Sequence, residues 1–142
     1  MRDMTDVEIK NFLASGTRTG KLATIRKDGR PHVTPIWFDL DVDDLVFTTW
    51  HTSVKAKNMA LEPRVSLSVD EESPPYAFVV VEGTVSISED PNELAYWARR
   101  IAARYMGEEQ AEVYGKRNSV EGELLVRLQP TKIIAKDDVS GW

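Results

Sequence analysis

Short runs of apolar residues recur along most of the chain, and in several of them polar residues alternate with the apolar ones. Over residues 64–69, valine and leucine alternate with arginine and serine, which is the pattern of a strand with one buried face. Other runs are rich in β-branched and aromatic residues, which also favours strands. The predicted strands cover residues 21–26, 32–40, 45–50, 64–70, 76–88, 123–128 and 132–136.

The strand predicted over residues 76–88 differs from the others because residues 78–81 are apolar on both faces. Such a run is expected near the centre of a sheet, where both faces are covered. Gly83 marks the point at which this strand can bend. Tyr76 and Phe78 are expected on the same side of it, since side chains alternate along a strand.

Capping signals mark where three helices begin. Thr5-Asp6-Val7-Glu8 is a capping-box pattern and predicts a short first helix. Ser53 is a candidate N-cap for a second helix over residues 54–61. Residues 90–93 combine an N-cap, a proline and an acidic residue, and they predict a longer amphipathic helix that ends at Gly107.

Glycine and proline divide the remaining segments. Asp28-Gly29 lies between two predicted strands and predicts a tight hairpin. Pro35 lies inside the second of these strands, and because proline has no N–H to donate, it indicates either a sheet edge or a bulge. Residues 39–44 are predicted to form a solvated acidic turn, and Gln129-Pro130 separates the last two strands.

These elements predict a mainly β fold, an antiparallel β-barrel of about seven short strands with peripheral helices. The chain has 142 residues, of which 42% are hydrophobic, and this suits one domain over residues 1–142. The net charge of −5 disfavours nucleic-acid binding, and the lack of cysteine removes disulfides and thiolate chemistry. No apolar run reaches membrane-spanning length and no signal peptide begins the chain, so we expect a cytoplasmic protein with no membrane partner.

Polar groups collect where the third predicted strand meets the second helix. Thr48, Thr49 and Ser53 supply hydroxyls there, and Lys55 and Lys57 supply ammonium groups beside the free N–H groups of a helix start. Hydroxyl, N–H and ammonium donors that converge form an anion site, and phosphate is the obvious ligand. The alternative is a solvated first helical turn with two surface lysines.

The chain offers little recognisable acid–base machinery of its own. His32 and His51 have no metal-ligand spacing, so no metal site is expected, and the motifs of serine hydrolases, P-loop proteins and Rossmann domains are absent. Most acidic residues cluster in turns, where a solvated role is the simpler interpretation. A phosphate pocket without such machinery points to a bound cofactor that supplies the chemistry.

The segment from Leu22 to Asp70 reads LATIRKDGRPHVTPIWFDLDVDDLVFTTWHTSVKAKNMALEPRVSLSVD, and a V-E-G triplet follows in the central strand. In this order, the hairpin, the proline-bearing strand, the S-x-K-x-K-N junction and E-P-R-V resemble the flavin and deazaflavin split-barrel family. That family is related to pyridoxamine-phosphate oxidases, and the chain is most similar to its F-420-dependent branch. The resemblance implies a split β-barrel of the FMN-binding type, antiparallel and Greek-key-like.

The resemblance also implies where a cofactor would bind. The junction after the third strand would hold its phosphate, and the second strand would lie beside its ring. A second subunit would cover each ring in a homodimer, with candidates in Tyr76, Phe78 and the C-terminal tail that ends at Trp142. The implied cofactor-binding residues are Thr34, Pro35, Ile36, Trp37, Thr48, Thr49, Ser53, Lys55, Lys57, Asn58, Tyr76 and Phe78.

The implied activity is hydride transfer between reduced coenzyme F-420 and a conjugated small molecule such as an enone, a quinone or a tetrapyrrole-like compound. Tyr76 is a candidate proton donor, and no other catalytic residue is named. Two alternatives remain: an FMN-dependent oxidoreductase, and a non-catalytic flavin or deazaflavin carrier. On the residues alone, Trp37 either lines the ring pocket or faces the barrel core.

Overall fold

A computed structural model describes residues 1–141, and its secondary structure is mainly β. The strands are β1 (Arg2–Asp3), β2 (Gly20–Ile25), β3 (Pro31–Ile36), β4 (Asp39–Asp41), β5 (Asp44–Trp50), β6 (Arg64–Glu71), β7 (Ala77–Ser88) and β8 (Glu123–Asp137). The helices are α1 (Asp6–Ala14), α2 (Val54–Leu61), α3 (Pro91–Met106) and α4 (Glu108–Arg117). No helix within this part of the chain has the length and apolar content needed to cross a bilayer.

The strands form one antiparallel sheet in the order β3-β2-β6-β7-β8-β5-β4, with β1 added beside β8. Buried residues from β2, β3, β5, β6, β7 and β8 enter a single core cluster, so the sheet wraps around its own interior. β3 and β4 are the two ends of the sheet and do not pair, which leaves the barrel split between them. The expected mainly β barrel with peripheral helices is confirmed.

The predicted hairpin is formed by β2 and β3, with Gly29 at a φ of 90° in its turn. Pro35 pairs with Lys21 in an unbroken register. β3 has no neighbour on its other side. Of the two alternatives for Pro35, the structure therefore has the sheet edge, not the bulge.

The two final strands predicted on either side of Gln129-Pro130 are in fact one strand, β8, of 15 residues. Pro130 pairs with Gly83 at the point where the β7–β8 register shifts. A Cβ atom on Gly83 would collide with the backbone oxygen of Gln129. The glycine therefore lets β8 pass its proline at a bulge instead of ending there.

Two further boundaries differ from the sequence prediction. The strand predicted over residues 32–40 ends at Ile36, and the supposed acidic turn contains the short strand β4, which returns through Val42 at a φ of 56°. Tyr76 precedes β7 and has a φ of 63°, so the strand alternation that would place it beside Phe78 does not apply.

The three predicted helix starts are confirmed by their caps. Thr5 and Glu8 form both halves of the capping box, and Ser53 and Asp90 each accept a hydrogen bond from a backbone N–H of the first turn. α1 contributes Leu13 to the core cluster. α3 packs its apolar stripe against β5 and β8.

Candidate functional site

A cavity of about 440 Å³ opens where β3 and β5 end, between the start of α2 and the side of α3. Its lining combines hydroxyl groups, aromatic and aliphatic walls, and one charge of each sign. The lining residues are Thr19, Pro35, Ile36, Trp37, Thr48, Thr49, Trp50, Ser53, Lys55, Ala98, Ile101, Asn118 and Glu123.

Hydroxyl groups line the side of the cavity formed by β5 and α2. The Ser53 hydroxyl oxygen accepts a hydrogen bond from the Ala56 backbone N–H at 3.2 Å, which begins α2 at this point. Thr49 is only 5% exposed, and its hydroxyl lies 2.8 Å from that of Ser53. Thr48, the neighbour of Thr49, is half-buried and also faces the cavity. Helix capping therefore fixes a cluster of polar oxygens at the cavity wall.

One cation and one carboxylate share this cavity. Burial lowers the pKa of Lys55 from its ordinary value, and the nearby Glu123 partly opposes the shift. Burial raises the pKa of Glu123, which Lys55 and Arg117 oppose. Within residues 1–141, neither Lys55 nor Glu123 forms an ion pair shorter than 4.0 Å. Both groups are thus partly desolvated without being paired.

The opposite wall of the cavity is aromatic, and Tyr105 of α3 supports it. Trp37 lies in the link between β3 and β4, half-buried, and it stacks on Tyr105 of α3 with ring centroids 5.2 Å apart and planes within 2°. The Tyr105 hydroxyl donates to the Arg18 carbonyl at 2.8 Å and accepts from the Phe38 N–H at 3.4 Å. Trp37 therefore lines the cavity and does not enter the barrel core.

Arg104 connects the segments that lie next to Trp37 and Tyr105. Its guanidinium donates to three carbonyl oxygens, those of Leu13 at 2.7 Å, Phe38 at 2.8 Å and Gly16 at 2.9 Å. It also lies over the ring of Phe38 at 4.8 Å. The ends of α1, α3 and the β3–β4 link are joined through one side chain, which positions Trp37 indirectly.

Seven of the residues predicted to hold a cofactor line the cavity together. These are Pro35, Ile36, Trp37, Thr48, Thr49, Ser53 and Lys55. They are separated along the chain by a strand and a turn, and the fold brings them to one opening. The polar junction at the start of α2 and the proline-bearing strand β3 therefore line the same cavity.

The other predicted residues lie elsewhere. Asn58 is 6% exposed and uses its amide to donate to the Thr24 hydroxyl at 3.0 Å, which joins α2 to β2. Lys57 points to solvent on α2, and Thr34 is half-buried on β3 outside the cavity lining. The spacing S-x-K-x-K-N thus contributes one cap, one cavity lysine and one structural amide.

Tyr76 and Phe78 do not line the cavity of their own chain. Tyr76 lies in the loop before β7, where its carbonyl accepts a hydrogen bond from Val139 N–H at 3.0 Å. Pro75 accepts one from Ser140 N–H in the same way, so the C-terminal segment is fastened to this loop. Trp142, marked as a candidate cover, lies outside the described residues.

Six lining residues were not predicted from the sequence. Ala98 and Ile101 belong to the apolar stripe of α3, a pattern that favours packing over ligand binding, and Thr19 precedes β2 without any motif. Glu123 pairs with Trp50 across β5 and β8, a contact between residues 73 positions apart. Only the strand pairing reveals it, because no local signal distinguishes Glu123 from the other acidic residues.

Residues 5–136 match the model of the family described as pyridoxamine 5'-phosphate oxidase. A conserved hypothetical protein from Mycobacterium tuberculosis is similar in structure, with a TM-score of 0.84 and 29% identity over 96% of this chain and 87% of that one. A structure described as an F420 reductase has a TM-score of 0.68 and 27% identity over 87% of this chain and 94% of that one.

The heme storage protein HutZ from Vibrio cholerae aligns over 99% of both chains, with a TM-score of 0.74 and 22% identity, which bears on the fold alone. The family model, by contrast, spans nearly the whole chain. The chain therefore belongs to the pyridoxamine 5'-phosphate oxidase family, whose split barrel it shares.

Proposed function

We propose that this protein is an F-420-dependent oxidoreductase that reduces a conjugated small molecule at the described cavity. The observation that carries the proposal is the meeting of a hydroxyl-and-lysine cluster with a flat aromatic wall in one opening. The likeness to a structure described as an F420 reductase, at 27% identity over 87% of this chain, also supports the proposal.

The donor set fits a cofactor that joins a planar ring to a phosphate. Thr49 and Ser53 offer hydroxyl groups, and Lys55 offers a cation that none of the described residues pairs. Trp37 and Pro35 provide a flat apolar surface on the other side. Hydrogen bonds to charged phosphate oxygens are among the stronger ones in proteins, so this cluster would anchor the arm while Trp37 orients the ring.

Reduced F-420, when bound, supplies a hydride to an electron-poor carbon. The residues of this chain would contribute position and dryness: Trp37 fixes one face of the ring site, and Ala98 with Ile101 keeps water from the α3 side. A proton must also reach the substrate. Tyr76 of a second copy is our candidate donor, since Tyr76 does not reach the cavity of its own chain.

We further propose that the active form is a homodimer with a cofactor at each subunit boundary. Apolar side chains are exposed on the outer face around the β7–β8 ladder, including Tyr76 at 42% and Ile134 at 38%. A permanent isologous contact would bury about 1,600 Å² or more of total surface. A monomer mass from light scattering at micromolar concentration with cofactor present would contradict this.

Cofactor titration and turnover together test the function. We expect F-420 to bind more tightly than FMN by fluorescence titration, and reduced F-420 to be oxidised faster by protein plus an enone or quinone than by either alone. Trp37→Ala should impair both ring binding and turnover. Tighter binding of FMN would transfer the assignment to that flavin, and binding without an increase in rate would identify a carrier.

A further inference from the structure

Glu123 is the one carboxylate that lines the candidate cofactor cavity, among residues 1–141. It begins β8, where its backbone pairs with Trp50 at the end of β5. An acid in a pocket built for an anion opposes binding through its charge. The arrangement is therefore unexpected for a phosphate site, unless the carboxyl is neutral when the anion is present.

The surroundings of Glu123 favour such a change. Lys55 of α2 lines the same cavity, and the charges of Lys55 and of Arg117 at the end of α4 both favour the ionised form of Glu123. His51 lies beside the preceding Gly122, and Glu121 is exposed to solvent. Neither Lys55 nor Arg117 comes within ion-pair distance of Glu123 in the described chain, and none of the described residues donates a hydrogen bond to its partly desolvated carboxyl.

We propose, given the function proposed above, that Glu123 takes up a proton when a phosphate group binds beside Lys55. The incoming anion adds a negative charge next to the carboxylate, which disfavours its ionised form. The proton removes that repulsion and leaves the whole charge of Lys55 to the phosphate. Glu123 thus determines how cofactor affinity varies with pH, and it contributes no attraction of its own.

The direction of the effect follows from linkage. Burial already raises the pKa of Glu123 above its ordinary 4.5 in the free protein, and a bound anion raises it further. Affinity therefore increases as the pH falls through the interval between the pKa of Glu123 in the bound protein and its pKa in the free protein. It reaches a plateau once Glu123 is neutral in both states. Lys55 acts in the same direction at alkaline pH, because losing its proton weakens anion binding.

Glu123→Gln mimics the neutral acid at every pH and preserves its size. We expect this variant to bind F-420 on the order of tenfold more tightly than the wild type near pH 8, where the ionised Glu123 repels the anion, and equally well in acid. Glu121→Gln is the matched control, since it removes an exposed carboxylate two residues away. It should leave the affinity unchanged at both pH values.

Calorimetric titration of F-420 in two buffers of different ionisation enthalpy measures the proton directly, at a pH between the pKa values of Glu123 in the free and bound protein. We expect net proton uptake in the wild type and in Glu121→Gln, and none or much less in Glu123→Gln. Binding with equal uptake in all three proteins would overturn the role of Glu123 and leave the proposed function intact. Failure of the wild type to bind either F-420 or FMN would overturn both proposals.

A measurement without cofactor tests the interaction between Lys55 and Glu123 by itself. Carboxyl carbon NMR should show a higher pKa for Glu123 in Lys55→Ala than in the wild type, because the cation that favours its ionised form is gone. An unchanged Glu123 pKa in the folded variant would mean that the two groups do not interact. The proposal would then fail regardless of how well the cofactor binds.

Discussion

Two half-buried cations differ in their hydrogen bonding: Arg104 supports the segment next to Trp37, and Lys55 lines the cavity. Arg104 donates to three backbone carbonyl oxygens and lies against the Phe38 ring. Lys55 has no ion pair with any described residue, and burial lowers its pKa. The protein accepts the hydrogen bonds of Arg104, while none of the described residues accepts those of Lys55.

The difference separates two regions: a structural corner around Arg104, Tyr105 and Phe38, and a binding corner around Lys55. Taking a cation out of water costs free energy that internal hydrogen bonds can offset, as they do for Arg104. Lys55 bears part of that cost without such bonds, which leaves its ammonium donors available to water or to a ligand. We therefore expect variants of Arg104 to change stability and variants of Lys55 to change binding.

The largest effect is expected for Arg104→Ala. Three charge-assisted hydrogen bonds disappear and leave carbonyl oxygens of α1 and the β3–β4 link unpaired, so the free energy of unfolding should fall by about 3 kcal/mol. Urea denaturation measures it. Arg99→Ala, on the same helix with an exposed 3.4 Å ion pair to Glu108, should change it by at most about 0.5 kcal/mol. Equal losses in both variants would remove the distinction.

The second effect separates the two lysines of α2. Lys55→Ala should weaken F-420 binding on the order of tenfold, since a hydrogen bond to a charged group contributes about 1.5 kcal/mol when partly solvated. Lys57→Ala removes an exposed ammonium group outside the cavity and should leave affinity unchanged. Fluorescence titration compares them, with urea denaturation to show that both variants are folded. The opposite ranking would place the phosphate elsewhere.

The smallest effect tests whether the two corners are separable. Tyr105→Phe keeps the ring that stacks on Trp37 but removes the hydroxyl that bonds Arg18 and Phe38, so stability should fall by about 1 kcal/mol. F-420 affinity should change less than about threefold. A much larger loss of affinity would show that the structural corner controls the geometry of the ring site, and the two regions would have to be treated as one.

Local signals were sufficient for most elements. Caps such as Ser53 act within one helical turn, and Asp28-Gly29 acts within one hairpin, so their effects can be predicted from neighbouring residues. The continuity of β8 could not be predicted in this way. It depends on Gly83, which lies 47 positions before Pro130 and leaves room for the bulge.

In the candidate site too, local features could be predicted from neighbouring residues, whereas contacts between distant segments could not. The hydroxyls and Lys55 were predicted to lie together because they are close in sequence to a helix start, but Lys57 was grouped with them by spacing alone and Asn58 by the family resemblance. A helix turns by about 100° per residue, so adjacent polar residues face different directions. Glu123 and Arg104 were missed because their roles depend on strand pairing and helix packing between distant segments.

The edge strand β3 has a consequence for solubility. Pro35 pairs with Lys21 in the ladder without a bulge, so its nitrogen must face away from β2, and Pro31 and Val33 share that orientation. Two of the three outward positions therefore carry no N–H. An aggregating chain that tried to extend the sheet at β3 would find a single backbone donor, at Val33. The open side of the split barrel is in this way a poor template for amyloid-like growth.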